Sequence, residues 1–179
     1  MRVISSPRVM NSVSRKLIKS GKSIGLVPTM GALHDGHLSL IKKARKENDK
    51  VIVSVFINPK QFSNGEDYER YPKDIRNDGL KAAESGCDIL FCPGKDSIYK
   101  KDFATYVEVQ GLSEVMCGIS RPCHFRGVVT ICLKLFNIVM PNRAYFGQKD
   151  YQQAVIIKKM VKDLNVNTCL LYTSDAADE

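Results

Sequence analysis

Residues 50–57 (Lys50-Val51-Ile52-Val53-Ser54-Val55-Phe56-Ile57) form an almost unbroken apolar run rich in β-branched side chains. Such a run suits a strand buried on both faces, and strands of that kind belong to parallel sheets covered by helices on each side. The rest of the chain alternates accordingly. Residues 23–28, 87–92, 104–109 and 144–147 read as further strands. Helical spacing marks residues 8–20, which stop at Gly21, and 36–48, with Leu38, Ile41 and Ala44 on one face. Residues 72–85 read as a helix with Pro72 in its first turn and Gly86 closing it. Residues 127–140 are the most apolar helix, with Lys134 its one charge and Pro141 its end. Residues 151–164 space Val155, Met160, Val161 and Leu164 for burial. Strands alternating with helices predict a doubly wound α/β fold, in which ligands bind beyond the carboxyl ends of the strands.

At 179 residues the chain suits one domain, given about 150 residues per domain. The expected domain is 1–168. Residues 165–168 look like the start of a strand, whereas 169–179 turn small and polar and read as a non-native or disordered tail. No run of about 18 apolar residues is present. Residues 1–7 lack the apolar core of a signal peptide, so a cytoplasmic protein is expected. The net charge of +8 suits an anionic partner or a scattered basic surface. The longest basic cluster (Lys42, Lys43, Arg45, Lys46) is short and sits on an amphipathic helix with no RNA-binding aromatic signature, so nucleic acid is not expected. The six cysteines (Cys87, Cys92, Cys117, Cys123, Cys132, Cys169) form no Cys-x-x-Cys pair and read as reduced thiols.

Chemistry concentrates in Pro28-Thr29-Met30-Gly31-Ala32-Leu33-His34-Asp35-Gly36-His37. This segment follows a strand and opens a helix. At a helix start His34 and His37 share one face. The free N–H groups and positive dipole end there attract anions, and Gly31 and Gly36 let backbone approach a phosphate. On the residues alone three uses stay open: phosphate binding, metal ligation, or capping of the helix.

The segment resembles the nucleotide-binding motif of the pantoate–β-alanine ligase (pantothenate synthetase) family, within the His-x-Gly-His nucleotidyltransferase superfamily. The likeness continues through Val55-Phe56-Ile57-Asn58-Pro59-Lys60-Gln61-Phe62, Arg70-Tyr71-Pro72 and Arg121-Pro122-Cys123-His124-Phe125-Arg126-Gly127-Val128. It is densest at Ala144-Tyr145-Phe146-Gly147-Gln148-Lys149-Asp150-Tyr151-Gln152-Gln153. The resemblance implies a Rossmann-like sheet and an ATP-dependent condensation of pantoate with β-alanine through pantoyl adenylate, releasing AMP and pyrophosphate. ATP with Mg²⁺ would be co-substrate, with no tightly bound organic cofactor, and the protein would be a homodimer. Met30, Gly31, Ala32, Leu33, His34, Asp35, Gly36 and His37 would line one side of the ATP site. Gly147, Gln148, Lys149 and Asp150 would line the other. His37, His34 and Lys149 would act on the phosphates, and Gln61 and Gln153 would hold pantoate, with Gln61 near β-alanine. Asp78 is a candidate to assist magnesium on position alone, and His124 is assigned loop ordering.

Two departures stand out. Cys123 occupies a position where the family commonly has Gly, which would strain it if φ is positive there. Family members also continue into a smaller C-terminal domain with a Ser-Ser-Arg stretch that is absent here. A fragment that binds its substrates weakly and ligates poorly is the expectation, because lids complete such sites.

Overall fold

The structure, a computed structural model, describes residues 1–62, 68–121 and 123–173. Its core is one sheet of six parallel strands: β1 (Arg2–Ile4), β2 (Ile24–Thr29), β3 (Lys50–Val55), β4 (Ile89–Phe91), β5 (Arg143–Gly147) and β6 (Cys169–Thr173), in the order β1-β4-β3-β2-β5-β6. Helices α1 (Pro7–Lys19), α2 (Asp35–Glu47), α3 (Ile75–Glu84), α6 (His124–Val139) and α7 (Tyr151–Asp163) pack on it, with short helices α4 (Lys95–Ile98) and α5 (Cys117–Ser120) between.

The apolar run of β3 is buried on both sides. Val51, Val53 and Val55 join Val27 of β2, Leu40, Ile41 and Ala44 of α2 and Ala82 of α3 in one core. Ile52 joins Ile24, Leu26, Met10 of α1, Val129 and Phe136 of α6, and Ile156 of α7 in the other. Each fully buried Val or Ile contributes about 1.5–3 kcal/mol relative to exposure. This two-sided burial removes the polar alternation that would have marked a half-exposed strand.

Four expectations need correction. Residues 104–109 form no strand. The Val107 N–H instead donates to Thr130 Oγ1 of α6 at 3.0 Å, and β4's outer edge is taken by Arg2–Ile4, paired with Ile89–Phe91. Helix α3 begins at Ile75 rather than Pro72, because Asp74 caps it by accepting from Asn77 N–H at 2.9 Å. Helix α6 begins three residues early, at His124. The sheet also runs past Thr168: Cys169–Thr173 pair along all of β5, from Arg143↔Cys169 to Gly147↔Thr173. Leu170 and Tyr172 pack on one core and Leu171 on the other, so the tail reading fails for residues 169–173. Residues 174–179 lie outside the described residues.

The chain winds from β2 through β3 to β4 in one direction, while β5 and β6 lie on the other side of β2. The loops leaving β2 and β5 therefore diverge at the carboxyl edge of the sheet. That divergence is the switch point where doubly wound sheets form clefts.

Candidate active site

The loop after β2 is held on every side. Thr29 Oγ1 donates to Ser54 O at 2.8 Å and accepts from Gly31 N–H at 3.2 Å. Gly31 (φ +93°) and Ala32 (φ +52°) both turn left-handed. The buried Asp78 carboxylate of α3 accepts from Ala32 N–H at 3.0 Å and Leu33 N–H at 2.7 Å. One turn along the same helix, Lys81 Nζ donates to Leu33 O at 2.8 Å. Helix α2 then starts with His34 as its cap. His34 Nδ1 accepts from Gly36 N–H at 3.2 Å, and His37 Nδ1 accepts from His34 N–H at 3.4 Å. The two rings lie 4.1 Å apart, centroid to centroid. A ring nitrogen that accepts from backbone leaves the neutral imidazole's proton on Nε2. Both rings thus carry their N–H on the nitrogen away from the backbone, at the positive end of α2's dipole.

His37 lines a chamber of about 160 Å³ over the switch point. Its polar wall is His37, Gln61, Tyr71, Asp150 and Gln153, with Met30 between; Phe56, Val128, Ile131, Leu135 and Phe146 form an apolar floor. Gln61 sits in a single 3-10 turn, Pro59–Gln61. The buried Asn58 donates to Gln61 Oε1 and to Gly127 O, both at 3.0 Å, and accepts from Tyr99 O–H at 2.8 Å. With its oxygen so engaged, Gln61 presents Nε2 as donor, 3.0 Å from Met30 Sδ. Asp150 precedes α7 without a side-chain capping bond, and its carboxylate lines the chamber instead. Burial, reinforced by the Asp78 carboxylate, pushes the Tyr71 phenol above its ordinary pKa, so it keeps its proton at neutral pH.

A wider chamber of about 450 Å³ adjoins the first and shares Met30, Gln61, Tyr71, Asp150 and Gln153 with it. Lys149, Arg121 and His124 line it. His124 orders the Gln61 loop: its Nδ1 lies 2.8 Å from Gln61 O and its Nε2 lies 3.3 Å from an Arg121 guanidinium nitrogen. Gln152 ties the segment before α5 to α7, donating to Leu112 O and Val115 O and accepting from Cys117 N–H.

Of the residues singled out in the sequence, the smaller chamber collects Met30, His37, Gln61, Asp150 and Gln153. Lys149 opens on the wider one, so the imidazoles and this ammonium do not line one chamber; the shared side chains connect them. His34 is exposed beside His37, as are Asp35, Ala32 and Gln148, and Gly147 is half-buried at the end of β5. Gly31 lines a separate hollow against Asp78, Leu33 is core, and Gly36 is buried within the first turn of α2. Asp78, the candidate to assist magnesium on position alone, is buried, and each of its carboxylate oxygens accepts one backbone N–H. Among the described residues no group of three or more His, Cys, Asp or Glu is placed to hold a metal. Tyr71, Asn58 and Gln152 were not singled out in the sequence. Each lies inside a motif block, but their contacts cross between elements that no local pattern joins.

A parallel sheet wound both ways from β2 makes this a Rossmann-like α/β domain. The model of the pantoate–β-alanine ligase family matches residues 2–174, and the chain belongs to that family. Pantothenate synthetase of Thermodesulfovibrio yellowstonii is 60% identical over 165 residues, covering 92% of this chain and 59% of that protein. The crystal structure of the Thermus thermophilus pantothenate synthetase gives a TM-score of 0.92 at 44% identity, over 97% of this chain and 62% of that one. The Francisella tularensis pantoate–β-alanine ligase, complexed with β-γ ATP and β-alanine, gives the same TM-score and identity over 97% of this chain and 67% of that one. The chain thus spans 59% of the length of the Thermodesulfovibrio relative.

Proposed function

We propose that this chain carries the ATP and pantoate sites of a pantoate–β-alanine ligase. A pantoate carboxylate oxygen attacks the α-phosphorus of ATP, entering as its Mg²⁺ complex, and pyrophosphate leaves. The β-alanine amine then attacks the acyl carbon of pantoyl adenylate, loses a proton, and expels AMP. No covalent bond to the protein forms, so the protein's work is positioning and charge stabilisation. His37, through Nε2–H, and Lys149 stabilise charge on the phosphates, with His34 flanking them. Residues 30–37 and 147–150 supply the two walls of the nucleotide site, and Asp150 accepts from the ribose hydroxyls. Gln61 donates to pantoate and lies near β-alanine, and Gln153 holds pantoate from the opposite side.

The observation that carries this reading is the convergence of His37, Gln61, Asp150 and Gln153 on one chamber over the switch point. The Francisella relative's complex with an ATP species and β-alanine supports it. Because the chain covers only part of its relatives' length, pantothenate formation by these 179 residues alone is proposed to be weak. A homodimer in the cytoplasm completes the proposal. No helix among the described residues is long and apolar enough to cross a membrane.

The test is pantoate-dependent exchange of labelled pyrophosphate into ATP, together with calorimetric titration of ATP into the chain. His37→Ala is expected to slow exchange by about 10²–10³-fold, the usual cost of losing one donor to developing charge. Exchange that ignores pantoate would sink the proposal. So would salt-sensitive binding of polynucleotide indifferent to His37→Ala.

A further inference from the structure

Asp78 is 2% exposed, and a buried carboxylate persists only where donors meet it. Its donors are the consecutive N–H groups of Ala32 and Leu33. A Cβ at Gly31 would come 3.0 Å from Asp78 Oδ2, so the bare glycine backbone is what admits the carboxylate. Lys81 takes the carbonyl of the same Leu33. One face of α3 therefore grips both ends of the Leu33 residue. Beside that grip Ala32 holds φ +52°, a conformation that is costly to alanine and free to glycine.

We infer that Asp78 and Lys81 are positioning residues that set the tautomer and aim of His37 by holding this left-handed turn. Leu33 leads directly into His34, and the His34 N–H is the group that meets His37 Nδ1. With residues 32 and 33 gripped, that N–H meets His37 Nδ1, which leaves the proton of the neutral ring on Nε2. With the grip released, Ala32 relaxes toward negative φ, the N–H swings away and His37 Nδ1 becomes able to take the proton. The catalytic consequence rests on the function proposed above, whereas the tautomer claim does not.

The three histidines permit a direct test. His34 and His37 accept at Nδ1, whereas His124 faces a carbonyl with Nδ1 and must carry its proton there. In the ¹⁵N-labelled 179-residue chain at about pH 8, where imidazoles are neutral, long-range ¹H–¹⁵N correlations should show His34 and His37 protonated at Nε2 and His124 at Nδ1. Asp78→Asn should turn His37 into a mixture of tautomers while His124 stays unchanged, and should weaken ATP binding about tenfold. Adding Ala32→Gly to Asp78→Asn should restore His37 and most of the affinity. Should Asp78→Asn fail to fold, Lys81→Met is read in the same way. An unchanged His37, a parallel change at all three rings, or no rescue by glycine overturns the inference. If the wild-type chain binds no ATP while the tautomers shift and recover as described, the proposed function fails and this inference stands.

Discussion

At Cys123 the backbone adopts φ +68° just as α6 begins. Left-handed geometry costs a non-glycine residue about 1–2 kcal/mol, and this cysteine is exposed, so its side chain returns little in burial. Among the hydrogen bonds described, its sulfur meets only the Arg126 guanidinium, at 3.3 Å. Cys123→Gly is therefore expected to stabilise the chain by about 1 kcal/mol. In a thermal scan the melting temperature should rise by about 2–4 °C. This strain was legible in the sequence, because a family glycine position held by another residue points to positive φ. Asp49 carries a different residue-scale signature. The Ser23 N–H, the Ser23 hydroxyl and Lys22 pull its pKa down to about 2 from an ordinary 3.8. A folded-state pKa below the unfolded one gives stability that is present above about pH 4 and lost as pH falls toward about 2. Asp49→Asn should flatten that part of the melting-temperature profile and leave the neutral region nearly unchanged in slope.

Between elements, the tightest approach near the chamber is that of α6 to the turn bearing Gln61. A Cβ on Gly127 would sit 2.1 Å from Lys60 O and 2.6 Å from Gln61 N. Gly127→Ala must push that turn off the helix, disturbing the Asn58 bond to Gly127 O. The expected cost is about 1–3 kcal/mol, as for other overpacking, read by denaturant unfolding. Pantoate affinity should fall with it, because Gln61 moves. Elements with long apolar patterns, such as α2, β3 and α7, could be placed from their residues. Three-residue β1 could not, since so short a segment has no period to detect. Once β1 claimed the edge of β4, the apolar residues near Val107 and Val109 had only the flank of α6 left to cover.

For the molecule as a whole, β6 is the outermost strand on the side of β5. A chain ending at Thr168 would bare the β5 edge and lose the packing of Leu170 and Tyr172. Uncovered apolar surface promotes association, so that chain should elute as oligomers in size-exclusion chromatography with light scattering, compared with a chain ending at Thr173. The walls of the candidate site were readable because each follows directly on a strand end. The grip of Asp78 was not, because it reaches the β2 loop from another helix. The walls themselves come from distant parts of the chain: β2 and β5 are neighbours, with Gly25 beside Arg143. During synthesis, a ribosome that has delivered β2, β3 and β4 has made only half of the pocket, and non-local pairing of this kind forms late. The nucleotide proposed for this cleft therefore cannot template early folding. It stabilises only the assembled sheet, so whatever stability it adds arrives after β5 has docked on β2.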